Sequence, residues 1–184
     1  MRSGDAGLRL LSLDLATHLG WAYGDTDHDD PVSGHYRLPS TGEEIGPFGA
    51  AYGEWLLKMI AEARPEWCVM EAPMQTTGGK TPMATMQKLQ GLCYHTEVIC
   101  WHKEIKCRQV PAATWKKTFT GSGKASKSQR PYPVLRACHQ RGFNRVVDDN
   151  EADAIGIWVH AAGLLAPKQA LRFDPLGRAG LLIA

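Results

Sequence analysis

Residues 8–24 read LRLLSLDLATHLGWAYG, and this stretch decides the fold. Leu11, Leu13 and Leu15 alternate with Ser12, Asp14 and Ala16, the two-residue period of a β-strand. The alternation puts Asp14 on the face opposite the leucines. A carboxylate in the middle of an otherwise buried strand must be hydrogen-bonded, neutralised or bound to a cation, because an unpaired buried charge is expensive. Taken alone, Asp14 is either such a group, or a solvent-facing residue of an edge strand, or a cap for the turn at Thr17 and His18. Residues 16–19 read as a tight turn and 20–24 as a second strand. With a third strand over 32–38, the opening is a small antiparallel meander.

Beyond the meander, residues 48–63 carry Tyr52, Trp55, Leu56, Met59 and Ile60 on one helical stripe, which core packing is enough to explain. A brief apolar strand at 67–70 runs into Glu71, Ala72 and Pro73. A strand following a helix is the parallel crossover arrangement, and ligands of open α/β sheets gather at the carboxyl ends of such strands. Glu71 stands at that edge. Residues 74–82 are polar and Gly-rich, helical spacing resumes over 83–96, and a short strand is expected at 97–101, from which 105–110 leads toward Pro111.

A helix over 111–119 buries Trp115 and exposes Lys116 and Lys117. The following Thr120-Gly121-Ser122-Gly123 loop, flanked by Lys116, Lys124 and Lys127, lacks the GxxxxGK[ST] pattern of a nucleotide-binding loop. Its amides and lysines suit the phosphate of a polymer. After a helix over 133–141, a last one over 148–165 begins with massed acid, which capping and the helix dipole explain. Asp153 is different: it lies past the cap among Ala152, Ala154 and Ile155, with Asn150 and Asp149 three and four residues before it.

The chain of 184 residues fits one domain, and its formal charge of +2 neither demands nor excludes nucleic acid. The distribution says more. Between Lys103 and Arg145 the charged residues are basic except for Glu104. The five cysteines show neither the close pairs of a zinc site nor a disulfide framework, and read as reduced, mostly buried small hydrophobes. No signal-peptide pattern and no membrane-length apolar run is present, so a cytoplasmic protein is expected, in a bacterial host cell if phage-encoded. Asp14, Glu71 and Asp153, joined by Asn150 or Asp149, are oxygen donors in positions that structure alone does not require. Such a set suits magnesium or manganese rather than zinc, and two such ions roughly 4 Å apart would serve phosphodiester hydrolysis.

Four segments, in order, carry a resemblance: LSLDLATHLGWAYG with Asp14, VMEAP with Glu71, VPAATWKKTFTGSGKASKSQ, and DDNEADAIGIWVHA with Asp153. Each is weak singly, but together they resemble the RNase H-like nuclease superfamily, and within it Holliday junction resolvases of the RuvC type with their divergent bacteriophage relatives. The resemblance implies an α/β fold, an RNase H-like mixed five-stranded sheet flanked by helices over residues 1–166, with an irregular tail over 167–184. It implies a structure-selective DNA endonuclease using two Mg²⁺ ions, with Mn²⁺ able to substitute. Its ligands would be Asp14, Glu71 and Asp153, with Asn150 or Asp149 completing the shell. Lys116 and Lys127 would stabilise phosphate charge near the cut. Gln75, Thr77 and Lys80 would lie near the branch point, and Lys117, Lys124 and Arg130 in the basic stretch would grip the backbone. The partner would be branched double-stranded DNA, and the helix over 83–93 would lie at the interface of a homodimer. The same chemistry on flaps, RNA–DNA hybrid or structured RNA stays open, as does a junction-binding protein without catalysis, which a neutral Asn150 favours.

Overall fold

Strands β1 (Arg9–Asp14), β2 (His18–Asp25), β3 (Val32–Arg37), β4 (Trp67–Glu71) and β5 (Lys106–Val110) form one sheet in the order β3-β2-β1-β4-β5. The computed structural model describes residues 7–28, 30–42, 44–73 and 82–175. β1 pairs antiparallel with β2 and parallel with β4, while β2–β3 is antiparallel and β4–β5 parallel. Asp14 therefore belongs to the central strand and not to an edge.

Helices cover both faces. Leu11 and Leu13 pack with Cys68 and Met70 beneath α1 (Ile45–Ala63) and α2 (Met83–His102). Leu10, Ala22 and Val69 point the other way, toward α3 (Ala112–Thr120), α4 (Pro133–Gln140) and α5 (Asp149–Leu165). The expected stripe of α1, from Tyr52 to Ile60, is buried as its spacing requires.

The α5 side is unusually close to the sheet. Ser12 Oγ donates to the Ala154 carbonyl at 2.7 Å. A Cβ at Gly20 on β2 would lie 1.9 Å from the Asn150 carbonyl oxygen, and one at Gly156 would lie 2.6 Å from the Trp115 ring. Only glycine permits these approaches. They hold the first two turns of α5 against the end of β1.

The structure corrects two expectations. Residues 97–101 are not a strand but the last turns of α2, because Leu92, Cys93, Thr96, Ile99 and Cys100 continue one buried stripe at helical spacing. The fifth strand is β5, whose largely exposed sequence KCRQV hid it among polar residues. The chain from 167 to 173 is also not irregular. It forms α6 (Pro167–Ala170) and a 3₁₀ turn, Leu171–Phe173. Phe173 is fully buried there, edge-on to Trp158 at 5.0 Å between ring centroids. Among the described residues no helix is long and apolar enough to cross a membrane.

Candidate active site

Two carboxylates leave the sheet at the carboxyl ends of neighbouring parallel strands. Asp14 closes β1 and Glu71 closes β4, one step beyond the Leu13–Met70 pair. This is the edge where open α/β sheets bind ligands. α5 crosses above it. Asp148 caps the helix by accepting from the Asn150 and Glu151 amides at 2.8 and 3.0 Å, and that cap fixes the turn that carries Asn150 and Asp153.

Lys127, in the loop between α3 and α4, reaches into the space between these elements. Its ammonium lies 2.6 Å from Asn150 Oδ1, 2.9 Å from Asp153 Oδ2 and 3.5 Å from Asp14 Oδ2. Three oxygens from two elements thus converge on one cation. Neutral donors hold the remaining sides: the Tyr132 hydroxyl donates a hydrogen bond to Asp153 Oδ1, and Trp115 Nε1 donates to Glu71 Oε2 at 2.8 Å. Lys116 lies over the Trp115 ring, 5.2 Å from its centroid.

The electrostatics follow from burial and crowding. Burial, then the neighbouring Asp153, push the Asp14 carboxyl up to about 7 against the pull of Lys127. Burial also raises Glu71, offset in part by the Trp115 N–H and Lys116, and raises Asp153 against Lys127 and Tyr132. Burial alone would lower Lys127, but Asp14 and Asp153 outweigh it and raise its pKa. The set is a group of carboxylates short of positive charge.

A pH dependence follows for the metal-free protein. Asp14 holds its proton more tightly folded than unfolded, so folding takes up a proton between the two pKa values. The stabilisation is complete below the ordinary carboxylate range and is lost as pH rises through about 7. Thermal melts in chelator should therefore show a higher midpoint at pH 5.5 than at pH 8, and Asp14→Asn should flatten that difference. An unchanged difference in the variant would assign it to other groups.

The sequence-derived residues divide as follows. Asp14, Asn150, Asp153 and Lys127 are brought into contact, with Glu71 and Lys116 close enough to shift their charges. Asp149 is directed elsewhere, 3.8 Å from Arg130, whose guanidinium also donates to the Lys127 carbonyl. Lys117 and Lys124 are exposed, with no hydrogen bond or ion pair to the cluster among the described residues. Gln75, Thr77 and Lys80 lie outside the described residues. Sequence reasoning missed Tyr132 altogether and gave Trp115 only a packing role. A single tyrosine between Pro131 and Pro133 carries no period, and nothing in the sequence pairs it with Asp153. His18, expected as a turn residue, opens β2 with its ring edge-on to His35, beside Asp148.

The mixed sheet, its strand order and the helices on its two faces define an RNase H-like fold. No family model matches the sequence, and no curated protein matches it. Solved structures share this fold. RuvC of Thermus thermophilus superposes with a TM-score of 0.60 at 16% identity, over 94% of this chain and 97% of that one. The same protein in complex with a Holliday junction substrate gives 0.61 at 17%, over 82% and 90%. The yeast mitochondrial Holliday junction resolvase Ydc2 gives 0.51 at 10%, over 92% and 80%. The chain has the fold of RuvC-type resolvases, and at these identities the likeness is one of fold.

Proposed function

We propose that this chain is a divalent-metal-dependent endonuclease that resolves four-way or otherwise branched DNA by phosphodiester hydrolysis. One observation carries the reading: oxygens of Asp14, Asn150 and Asp153 already converge on a cation, the Lys127 ammonium, at the carboxyl edge of a junction-resolvase fold. The donors are all hard oxygens, a set that fits Mg²⁺, with Mn²⁺ substituting. Asp14, Glu71, Asp153 and Asn150 would hold two ions, and Asp149, paired with Arg130, would not complete the shell. Bound there, such ions supply an activated water and charge stabilisation at the leaving oxygen.

The chain's own groups do the rest. Trp115 and Tyr132 fix the orientation of Glu71 and Asp153 through one oxygen each. Lys127 and Lys116 place positive charge where the phosphate would lie, and Lys117 and Lys124 would grip its neighbours along the strand. Gln75, Thr77 and Lys80 are assigned to the branch point by the resemblance. A second reading, junction binding without catalysis, draws on the neutral Asn150 and on the lysine seated among the carboxylates.

The deciding experiment offers the native protein a labelled four-way junction and a linear duplex of the same sequence in Mg²⁺. Cleavage of the junction alone, leaving 5′-phosphate and 3′-hydroxyl ends, is the expected result. Failure to cut or bind either substrate refutes the proposal, and tight junction binding without product transfers it to the second reading.

The proposal includes a two-fold dimer, which would place matched sites on opposing strands. α2 offers a surface for it: Met83, Tyr94 and Trp101 are 68%, 71% and 82% exposed. Sedimentation should give twice the chain mass, and Tyr94→Glu should shift it toward monomer. A monomeric native protein would remove this part of the proposal.

A further inference from the structure

On the sheet face away from the carboxylates, three cysteines distant in sequence come together. Cys68 on β4 is the register partner of Cys107 on β5, and Cys100 descends from α2 onto both. Their three sulfurs all lie within 4.8 Å of one another. All three are free thiols; Cys68 and Cys100 are buried, while Cys107 is partly open. Cys107 borders an open cavity of about 620 Å³ that is also lined by Glu97, Trp101, Ile105 and Lys106.

We infer that Cys68, Cys100 and Cys107 form a second metal site, one for a thiolate-seeking d¹⁰ cation, Zn²⁺ or Cu⁺. The chemistry of the donors selects this class, since three soft sulfurs without a hard oxygen ligand disfavour magnesium. The spacing agrees. Sulfurs about 2.3 Å from a common ion stand about 3.8 Å apart in tetrahedral and about 4.0 Å apart in trigonal geometry, so closing from the present separations needs only side-chain rotation. The cavity beside Cys107 gives an entry path and room for a water as fourth ligand on Zn²⁺. Binding exchanges S–H bonds for sulfur–metal bonds and releases the protons to solvent, with no change of oxidation state. The bound ion would tie β4, β5 and α2 together.

The site is independent of the nuclease reading and is tested without activity. The reduced, chelator-treated full chain is titrated with Zn²⁺, with Cd²⁺ as the optical probe of thiolate ligation, and with Cu⁺ under anaerobic conditions. One ion per chain is expected, with sulfur-to-metal charge-transfer absorbance and a raised melting temperature that excess Mg²⁺ does not reproduce. Zn²⁺ and Cu⁺ are separated by which one holds against a chelator of known affinity. Cys107→Ser, at the partly open edge strand, should keep the native circular dichroism and weaken binding by more than about 100-fold. Cys138→Ala, on α4 at the other face of the sheet, should leave it unchanged. Absence of charge transfer, or equal binding by Cys107→Ser and native protein, overturns the inference.

Discussion

Asp14→Asn is expected to lower four-way junction cleavage by at least about 10³-fold while raising the melting temperature of the metal-free protein. The two effects have one origin. Asp14 is 8% exposed, and its carboxyl is pushed up to about 7 because burial and Asp153 outweigh Lys127. The folded chain without metal therefore prefers a neutral group at this position, and asparagine supplies one of the same shape. The same charge is what a divalent cation would need, so removing it disables the centre. Parallel cleavage assays and melts in chelator read both effects. A variant that still cuts within about tenfold of native would take Asp14 out of the chemistry.

Gly20→Ala should produce the largest loss of stability from a single methyl group, roughly 3 kcal/mol or about 6–12 °C in melting temperature. The new Cβ would sit 1.9 Å from the Asn150 carbonyl oxygen, which is backbone and has no rotamer to escape into. Relief requires α5 to lift from β2, and that movement carries Asn150 and Asp153 away from Asp14. Cleavage should fall with stability, even under conditions where the variant remains folded. Gly163→Ala on the same helix, where a Cβ meets nothing within 4 Å, is the control and should be neutral or slightly stabilising. Equal melting temperatures for the two variants would show that α5 can retreat at no cost.

The central strand, the buried stripe of α1 and the inward Trp115 were legible because each repeats an apolar signal with a fixed period. Asp153 was legible by contrast, as a carboxylate past the cap among small residues. What failed did so for identifiable reasons. Residues 97–101 look like a strand because a short apolar run has no period of its own; only the stripe begun at Leu92 assigns it to a helix. β5 shows too little hydrophobicity because it is an edge strand. Pairings between segments distant in the chain, such as Tyr132 with Asp153 and Cys68 with Cys107, leave no trace in local spacing. The different directions of Asn150, toward Lys127, and Asp149, toward Arg130, also needed three dimensions, since both lie on the first turn.

The indole and phenol hydrogen bonds at the cluster have one more effect. Trp115 donates to Glu71 Oε2 and Tyr132 to Asp153 Oδ1, while the Lys127 ammonium sits on Asp153 Oδ2, so a cation replacing that ammonium would find one oxygen of each carboxylate free of a neutral donor. Under the proposed function, a cation entering this cluster would meet them as monodentate ligands. A small ion that favours six single contacts in octahedral array accepts that, whereas a large ion such as Ca²⁺, which gathers seven or eight oxygens by chelating both arms of a carboxylate, is denied its usual denticity. Two aromatic residues outside the proposed ligand set would thereby bias which ion the proposed centre takes.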